Sequence, residues 1–249
     1  MNFGIIIQAR MGSTRFPGKI LKKFYGDDTL LETLLNNLHK VGIKVIVATS
    51  DSENNDQLEV FLKEKGELVY RGSENDVLDR FIKAAEINGI DGIVRICSDN
   101  PFMDWHGVRQ IVERANNSDA DYIGFRVNDK PSILTHFGFW GEYVTLKALK
   151  KVASITQEGS LAHEHVTYHV YTHPEDYKCE WIQCPEFLQG RDDIRLTIDT
   201  PDDLINAQKV YANLKDTNIE FTLQDVVEYL DAHQDIKESM MSCISNNKK

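Results

Sequence analysis

Apolar residues along this chain fall into short runs that alternate between two rhythms. FGIIIQA near the N-terminus, KVIVATS from Lys44, ELVY before Arg71, DGIVRIC before Ser98 and DYIGF before Arg126 are compact apolar runs and predict strands. Between them apolar positions recur at three- and four-residue spacing, the signature of helices packed by one face. Such spacing appears at Leu30, Leu31, Leu34, Leu35 and Leu38 in TLLETLLNNLHKV, from Asp56 to Lys65, at Val77, Leu78, Phe81, Ile82 and Ala85 in NDVLDRFIKAAEI, and in HGVRQIVERAN. Strands that alternate with helices of this length need crossover connections, so the pattern predicts an α/β fold with a mostly parallel sheet sandwiched by helices. Runs without polar alternation fit strands covered on both faces.

After about Arg126 the rhythm loosens. NDKPSILTHFGFWGEY reads as a loop or short antiparallel strands, LAHEHVTYHVY and YKCEWIQC have strand character, and RLTIDT resembles a final strand. PDDLINAQKVYANL predicts a helix with Pro201 in its first turn, and LQDVVEYLDAH another. The expected organisation is a single domain over 1–236 with a small inserted lobe at about 127–190, and a polar, frayed tail over 237–249.

Length and composition narrow the classes. At 249 residues with 41% hydrophobic content the chain supports one large core. No run approaches the ~20 apolar residues of a membrane span, and the N-terminus enters a strand with no basic region or cleavage site, so the expectation is no signal peptide, no membrane and a cytoplasmic location. Cys97, Cys179, Cys184 and Cys243 lack C-x-x-C spacing and read as reduced thiols. A net charge of −11 argues against nucleic acid as partner, while leaving room for a local cationic loop that binds a small anion.

Such a loop follows the first strand. QARMGSTRFPGK, residues 8–19, sets Arg10, Arg15 and Lys19 among Gly12, Ser13, Thr14, Pro17 and Gly18. Two readings stand with about even weight: a solvated turn, or a cradle in which the arginine forks and the lysine grip a polyphosphate while Gly12 and Gly18 expose backbone N–H groups. It is neither G-x-x-x-x-G-K-[ST] nor G-x-G-x-x-G. In parallel α/β sheets ligands bind beyond the carboxyl ends of strands, and two carboxylates lie at such ends. Asp99 follows IVRIC and suits one ligand position of Mg2+; the alternative is an Asx turn or a cap, a role Asp104 fills better. Asp199 in LTIDTPDDL reads as a helix cap shared with Thr200 or as a second metal ligand.

QARMGSTRFPGK, RGSENDVLDRF, RICSDNPFMD, EHVTYH and RLTIDTPDDL, in that order, resemble the cytidylyltransferase family that includes spore-coat polysaccharide biosynthesis proteins, and are more distantly similar to CMP-Kdo and CMP-sialic acid synthetases. The likeness runs to about residue 210. It implies a Rossmann-like sheet, an acceptor and dimerisation role for the lobe at about 127–190, a homodimer, and Mg2+-dependent transfer of CMP from CTP to a sugar or sugar acid in surface polysaccharide biosynthesis. By position it places the triphosphate loop on Ala9, Arg10, Ser13, Arg15 and Lys19, with Gln8, Met11 and Gly12 as further nucleotide-binding candidates, and the metal on Asp99 and Asp199. Ser98 stands where many relatives have Gly, Phe16 where many have Leu, and Gln8 where the Kdo and sialic-acid enzymes have Pro.

RGSENDVLDRF lies at a strand end beside the opening loop. Arg71, Gly72, Asp76 and Arg80 are candidates for base or ribose contact; alternatively Ser73 caps the helix and Asp76 with Arg80 is a surface i,i+4 pair. His163, His165 and His169 match no standard zinc spacing, and Glu164 with His165 is expected in the wall of the acceptor pocket. In the implied reaction Arg10, Arg15 and Lys19 stabilise leaving pyrophosphate and the metal on Asp99 polarises the α-phosphate. The alternatives are a nucleotide-sugar-dependent glycosyltransferase, for which D-x-D is missing at Ser98-Asp99-Asn100, a nucleotidyltransferase for a phosphorylated non-sugar acceptor, and a non-catalytic nucleotide-binding subunit.

Overall fold

The computed structural model describes residues 1–218 and 220–246. β1 (Phe3–Gln8) leads through the charged loop to a hairpin of β2 (Lys23–Tyr25) and β3 (Asp28–Thr29), then α1 (Leu30–His39), β4 (Lys44–Ser50), α2 (Asp56–Glu64), β5 (Leu68–Gly72), α3 (Val77–Ile87), β6 (Gly92–Cys97) and α4 (Trp105–Asn116). The second half adds β7 (Tyr122–Val127), β8 (Lys130–Pro131), β9 (Glu142–Thr145), α5 (Leu146–Ile155), α6 (Leu161–Glu164), α7 (Tyr168–Thr172), β10 (Cys179–Gln183), α8 (Pro201–Thr217), α9 (Leu223–Ala232) and α10 (Gln234–Asn246).

The main sheet has eight strands in the order β10-β7-β9-β6-β1-β4-β5, with β8 paired to β7. β1 lies inside it, parallel to β4 on one side and β6 on the other, and the only antiparallel members among the described residues are β8 and β9. Side chains on successive β1 residues point to opposite faces, so Ile5 and Ile7 join one core cluster while Ile6 joins the other. The first cluster takes α1, α4, α8, α9 and α10, and the second takes α3, α5, α6 and α7. The expected α/β sandwich is therefore present. The chain runs β1, β4, β5 outward and returns to β6 on the far side of β1. That reversal opens a crevice at the carboxyl ends of β1 and β6, where the charged loops lie.

Four local expectations change. LAHEHVTYHVY is not a strand; it forms α6 and α7, and the apolar positions Ala162, Val166 and Val170 pack against α3 and α5. RLTIDT is extended and buried but joins no ladder: Leu196 and Thr197 N–H groups donate to the His136 carbonyl, and Ile198 N–H to the Asp99 carbonyl. Residues 127–190 do not stand apart from the sheet, since β9 is inserted between β6 and β7, and β10 extends the edge. The tail is not frayed: α10 buries Ile236, Met240 and Cys243, and Asn206 on α8 donates to Ser239 at 2.9 Å. Of the expected tail, residues 247–249 lie outside the described residues.

Candidate active site

The opening loop is braced from within. Met11 N–H donates to Asn55 Oδ1 at 2.8 Å, and Asn55 in turn donates to Ser50 Oγ at 2.7 Å. The Met11 carbonyl accepts from both Ser13 and Gly18 N–H at 3.0 Å, folding the loop back on itself. Gly18 turns it at φ +68°, a conformation that favours glycine. Gly12 has no such need: it is exposed and a Cβ there would meet open space. Ala9 is buried and its N–H donates to Ala48, while Arg10 is exposed.

The turn delivers Lys19 into the crevice, where it is only 7% exposed. Its Nζ lies 2.8 Å from Asp99 Oδ2, 3.6 Å from Asp199 Oδ1, and donates to the Ile198 carbonyl at 2.5 Å. Burial pulls the ammonium down, but Asp99 and Asp199 outweigh it and hold Lys19 above its ordinary value. Arg15 reaches the same Asp199 oxygen at 2.8 Å. Arg10, Arg15, Lys19, Asp99 and Asp199 thus belong to one edge of the sheet, and four of them form a continuous ion cluster.

Asp199 is not the helix cap. Thr200 caps α8, accepting from Asp203 N–H, while Asp203 Oδ2 accepts from the N–H groups of Asp199 and Thr200, both at 2.9 Å. Buried Arg195 grips Asp203 at 2.6 Å and Asp199 Oδ2 at 3.0 Å, and also donates to His136 Nδ1. Sequence reasoning missed Arg195 and its pairing with Asp203, although T-x-x-D at the start of α8 is a capping-box pattern. Asp104 caps α4, leaving the Asp99 carboxylate for the crevice.

The second candidate region divides. Arg71 does not open toward a ligand: its guanidinium donates to Ser50 and Ser52 carbonyls and pairs with Asp56 and Glu59 at 2.6 Å, tying β5 to the β4–α2 turn. Asp76, not Ser73, caps α3, and its other oxygen meets His163 Nδ1 at 2.8 Å. Arg80 is not on the surface. It is 1% exposed, with Nε and Nη1 lacking any hydrogen-bond partner among the described residues. Burial and then the like charge of Arg10 lower it from its ordinary value. Gly72 lies against its stem, 3.5 Å from Arg80 Cγ to an added Cβ.

A cavity of about 510 Å3 borders the ion cluster. Arg15, Asp99, Asn100, Thr197 and Asp199 line it, together with Ser132, Ile133, Leu134, Thr135, Phe137, Gly138, Phe139 and Trp140. His165 lines it, but Glu164 does not and is exposed. The three histidines do not converge. His163 is buried on Asp76, His169 stacks on His173, and no cluster of three metal-binding side chains occurs among the described residues. Val166 holds φ +34°, strained for a β-branched residue. It separates His165, facing the cavity, from Thr167, which bridges Arg95 and Glu142. Arg95 pairs with Glu142 at 2.8 Å and takes the Gln8 side chain as an acceptor at 3.2 Å, linking the first strand to the cavity wall. A charged residue inside the apolar run IVRIC was the available signal for Arg95.

Residues 4–236 match the cytidylyltransferase family. The chain belongs to the cytidylyltransferase family. It is 34% identical to the spore coat polysaccharide biosynthesis protein SpsF of Bacillus subtilis over 212 residues, covering 83% of this chain and 85% of that protein. Its fold is similar to a cytidylyltransferase of Leptospira borgpetersenii, with TM-score 0.76 and 30% identity over 95% of this chain and 96% of that one. It is also similar to a CMP:2-keto-3-deoxy-manno-octonic acid synthetase solved with CTP, at TM-score 0.63 and 15% identity, covering 86% and 99% of the respective chains. This cytidylyltransferase is accordingly an enzyme with a Rossmann-like, mostly parallel sheet. Among its described residues no helix is long and apolar enough to cross a membrane.

Proposed function

We propose that this cytidylyltransferase transfers CMP from CTP to a hydroxyl of a sugar or sugar acid, releasing pyrophosphate, in the synthesis of a surface polysaccharide. The observation that carries the reading is the position of the Asp99–Lys19–Asp199 cluster: it lies at the crevice beyond β1 and β6, and its two carboxylates line a cavity of about 510 Å3, large enough for a sugar. The acceptor hydroxyl would then attack the α-phosphorus of CTP from the side opposite the leaving pyrophosphate, as in-line displacement requires.

The residues supply charge and position. Arg10, Arg15 and Lys19 take the phosphates, and charge-assisted bonds to phosphate oxygens are the strong ones. The Met11 and Ser13 N–H groups are engaged by Asn55 and the Met11 carbonyl, so Met11, Gly12 and Ser13 serve by shaping the loop around the phosphates. Arg80, buried and with two donors unused, serves the nucleoside beside Gly72 and Asp76. Arg71 contributes by fixing the β4–α2 turn rather than by contact.

A divalent cation fits this donor set. Asp99 and Asp199 already share one cation, the Lys19 ammonium, and two carboxylates with water and phosphate oxygens filling the rest is how Mg2+ is commonly held. When bound, Mg2+ would polarise the α-phosphate and neutralise charge there. Arg195 and Asp203 would keep the Asp199 carboxylate aimed, and Lys19 would turn from the aspartates to the phosphates. The location in the cytoplasm and the homodimer are part of the same proposal.

The test is pyrophosphate release with each of CTP, ATP, GTP and UTP, Mg2+ and a panel of sugar and sugar-acid acceptors, alongside calorimetric binding of each nucleotide. CTP is expected to bind and react preferentially. Equal release from all four nucleotides would remove the cytidine assignment, and undiminished release in EDTA would remove the metal.

A further inference from the structure

Two lysines share one aromatic-lined hollow on the face of the sheet that carries α1, α4, α8 and α9. Lys40 follows α1, and Lys215 lies in the last turn of α8. A cation near a helix C-terminus suits the helix dipole, but the dipole asks only that the charge be near. Here both side chains line the same cavity, of about 410 Å3, a volume in the range of small-molecule sites. Their ammonium groups lie over rings that line it too. Lys215 Nζ is 5.5 Å from the Phe221 centroid and 5.9 Å from that of Tyr211, and Lys40 Nζ is 5.9 Å from that of Trp105. Among the described residues this hollow shares no lining residue with the cavity beside Asp99 and Asp199.

The rings are fixed, and part of their surface is open. Phe102 and Tyr211 are buried and pack edge to face at 5.4 Å, and Phe221 packs on Tyr211 at 5.3 Å. Phe221, Trp105 and Phe187 are only half-buried, so their remaining surface is available to a ligand. Arg109 steadies Trp105, with its guanidinium carbon 4.8 Å from the ring centroid, and donates to the Lys40 carbonyl at 2.8 Å. Two acids also line the hollow, but neither neutralises the lysines firmly. Asp104 spends one oxygen on His106 N–H at 3.1 Å and the other on Trp140 Nε1 at 3.3 Å. Glu220 meets Lys40 at 3.4 Å with its side chain 67% exposed, and such surface pairs contribute little, so an incoming anion can take its place. Burial and then the like charge of Lys40 lower Lys215 from its ordinary value, against Glu220. An anion between the two ammonium groups relieves that repulsion, and a local cationic pair attracts one even on a chain of net charge −11.

We infer that this hollow is a second small-molecule site, for a planar aromatic ring bearing an anionic group, with the anion at Lys40 and Lys215 and the ring against Trp105, Phe187 and Phe221. Nucleoside monophosphates and aryl carboxylates share this chemistry. Both halves of the ligand are needed: an anion without a ring leaves the aromatic surface in water, and a neutral ring leaves the lysines facing each other. The site is independent of the proposed CMP transfer.

The experiment labels the full chain with 5-fluorotryptophan and follows its three tryptophans by fluorine NMR, the Trp105 signal being assigned with Trp105→Phe. Trp140, which lines the cavity beside the aspartates, reports the transfer site in the same spectrum. The probes are AMP and indole-3-acetate, each against its neutral ring, adenosine or indole, and against its anion alone, inorganic phosphate or acetate. At least one of the two ring-bearing anions is expected to shift the Trp105 signal saturably, and to bind about tenfold or more tighter than its neutral ring and its bare anion. A response to AMP alone marks the ligand as a nucleotide, and to indole-3-acetate alone as an aryl carboxylate. Lys40→Met and Lys215→Met, which keep the stems of both side chains, are each expected to weaken binding about tenfold, with unmoved Trp140 and Trp181 signals showing the fold intact. Lys19→Met, at the ion cluster, is expected to leave it unchanged. No saturable shift at Trp105 with either probe, a shift at Trp140 alone, equal binding of the neutral ring or the bare anion, wild-type affinity in both lysine variants, or loss of binding in Lys19→Met would each overturn the inference.

Discussion

Lys19 is a single ammonium facing two carboxylates, Asp99 at 2.8 Å and Asp199 at 3.6 Å. It holds the place between them that a divalent cation would take, and like charge opposes any ion that enters while it remains. Lys19→Met is therefore expected to do two opposite things. Transfer should fall about ten- to a hundredfold, since a charge-assisted contact of ~1.5–3 kcal/mol is lost. Mn2+ binding to the nucleotide-free protein, followed by electron paramagnetic resonance, should become tighter than in the wild type. Asp99→Asn and Asp199→Asn should abolish both transfer and Mn2+ binding, because an amide is a weak ligand for a hard cation. They should stay folded, as the caps of α4 and α8 belong to Asp104 and Thr200. Mn2+ binding unchanged in all three variants would refute the metal assignment.

At the scale of the element, the N-terminus of α8 does more than start a helix. Asp203 joins the capping box, accepts from Asp199 N–H and holds Arg195, so the helix start is also the mount of the Asp199 carboxylate. Burial pushes the Asp203 carboxyl up, but Arg195 and the Asp199 backbone outweigh it and leave it below its ordinary range. Arg195 and Asp203 are 1% and 2% exposed, and breaking a buried pair from one side costs about 3–5 kcal/mol. For a chain of this length ~2–4 °C accompany each kcal/mol. Asp203→Ala should accordingly lower Tm by about 6–20 °C by calorimetry and weaken transfer by releasing Asp199. A Tm within a degree or two of wild type would show that the pair contributes little.

Across the whole molecule, α10 closes the face on which α8 and α9 lie, and an ion cluster helps to hold it. Lys237 meets Asp193 at 2.9 Å and Asp231 at 3.0 Å, and Arg191 pairs with the same two carboxylates. Burial raises the Asp193 carboxyl, but Arg191 and Lys237 prevail and bring it to about 2. A carboxyl depressed by folding contributes stability that is complete above its unfolded value, ~3.9, and is lost as pH falls through its folded one. Thermal stability should thus decline between about pH 4 and pH 2. Lys237→Met should cost about 0.5–1 kcal/mol at neutral pH, as partly exposed pairs do, and should flatten the decline in that window. An identical Tm–pH profile for variant and wild type would exclude the cluster as its source.

The periodicity of apolar residues determined most elements by itself, because a strand covered on both faces and a helix packed by one stripe each impose a local pattern. KVIVATS became β4 at its expected bounds, and the leucines of TLLETLLNNLHKV face the core. The charged loop was equally legible, since three cations among glycines and prolines are conspicuous wherever they fold. Distance in space was not legible. Whether RLTIDT pairs in the sheet, whether LAHEHVTYHVY is strand or helix, and whether the last helix packs all depend on partners remote in sequence, and local propensity yields to such packing. The same holds for individual charges. Arg71, Arg80 and Arg95 look alike in the sequence, yet the fold gives the first a full set of partners, leaves the second buried with donors unused, and sets the third against Glu142 in the wall of the cavity. Side-chain chemistry belongs to the residue, but the charges it meets and the water it loses belong to the tertiary structure.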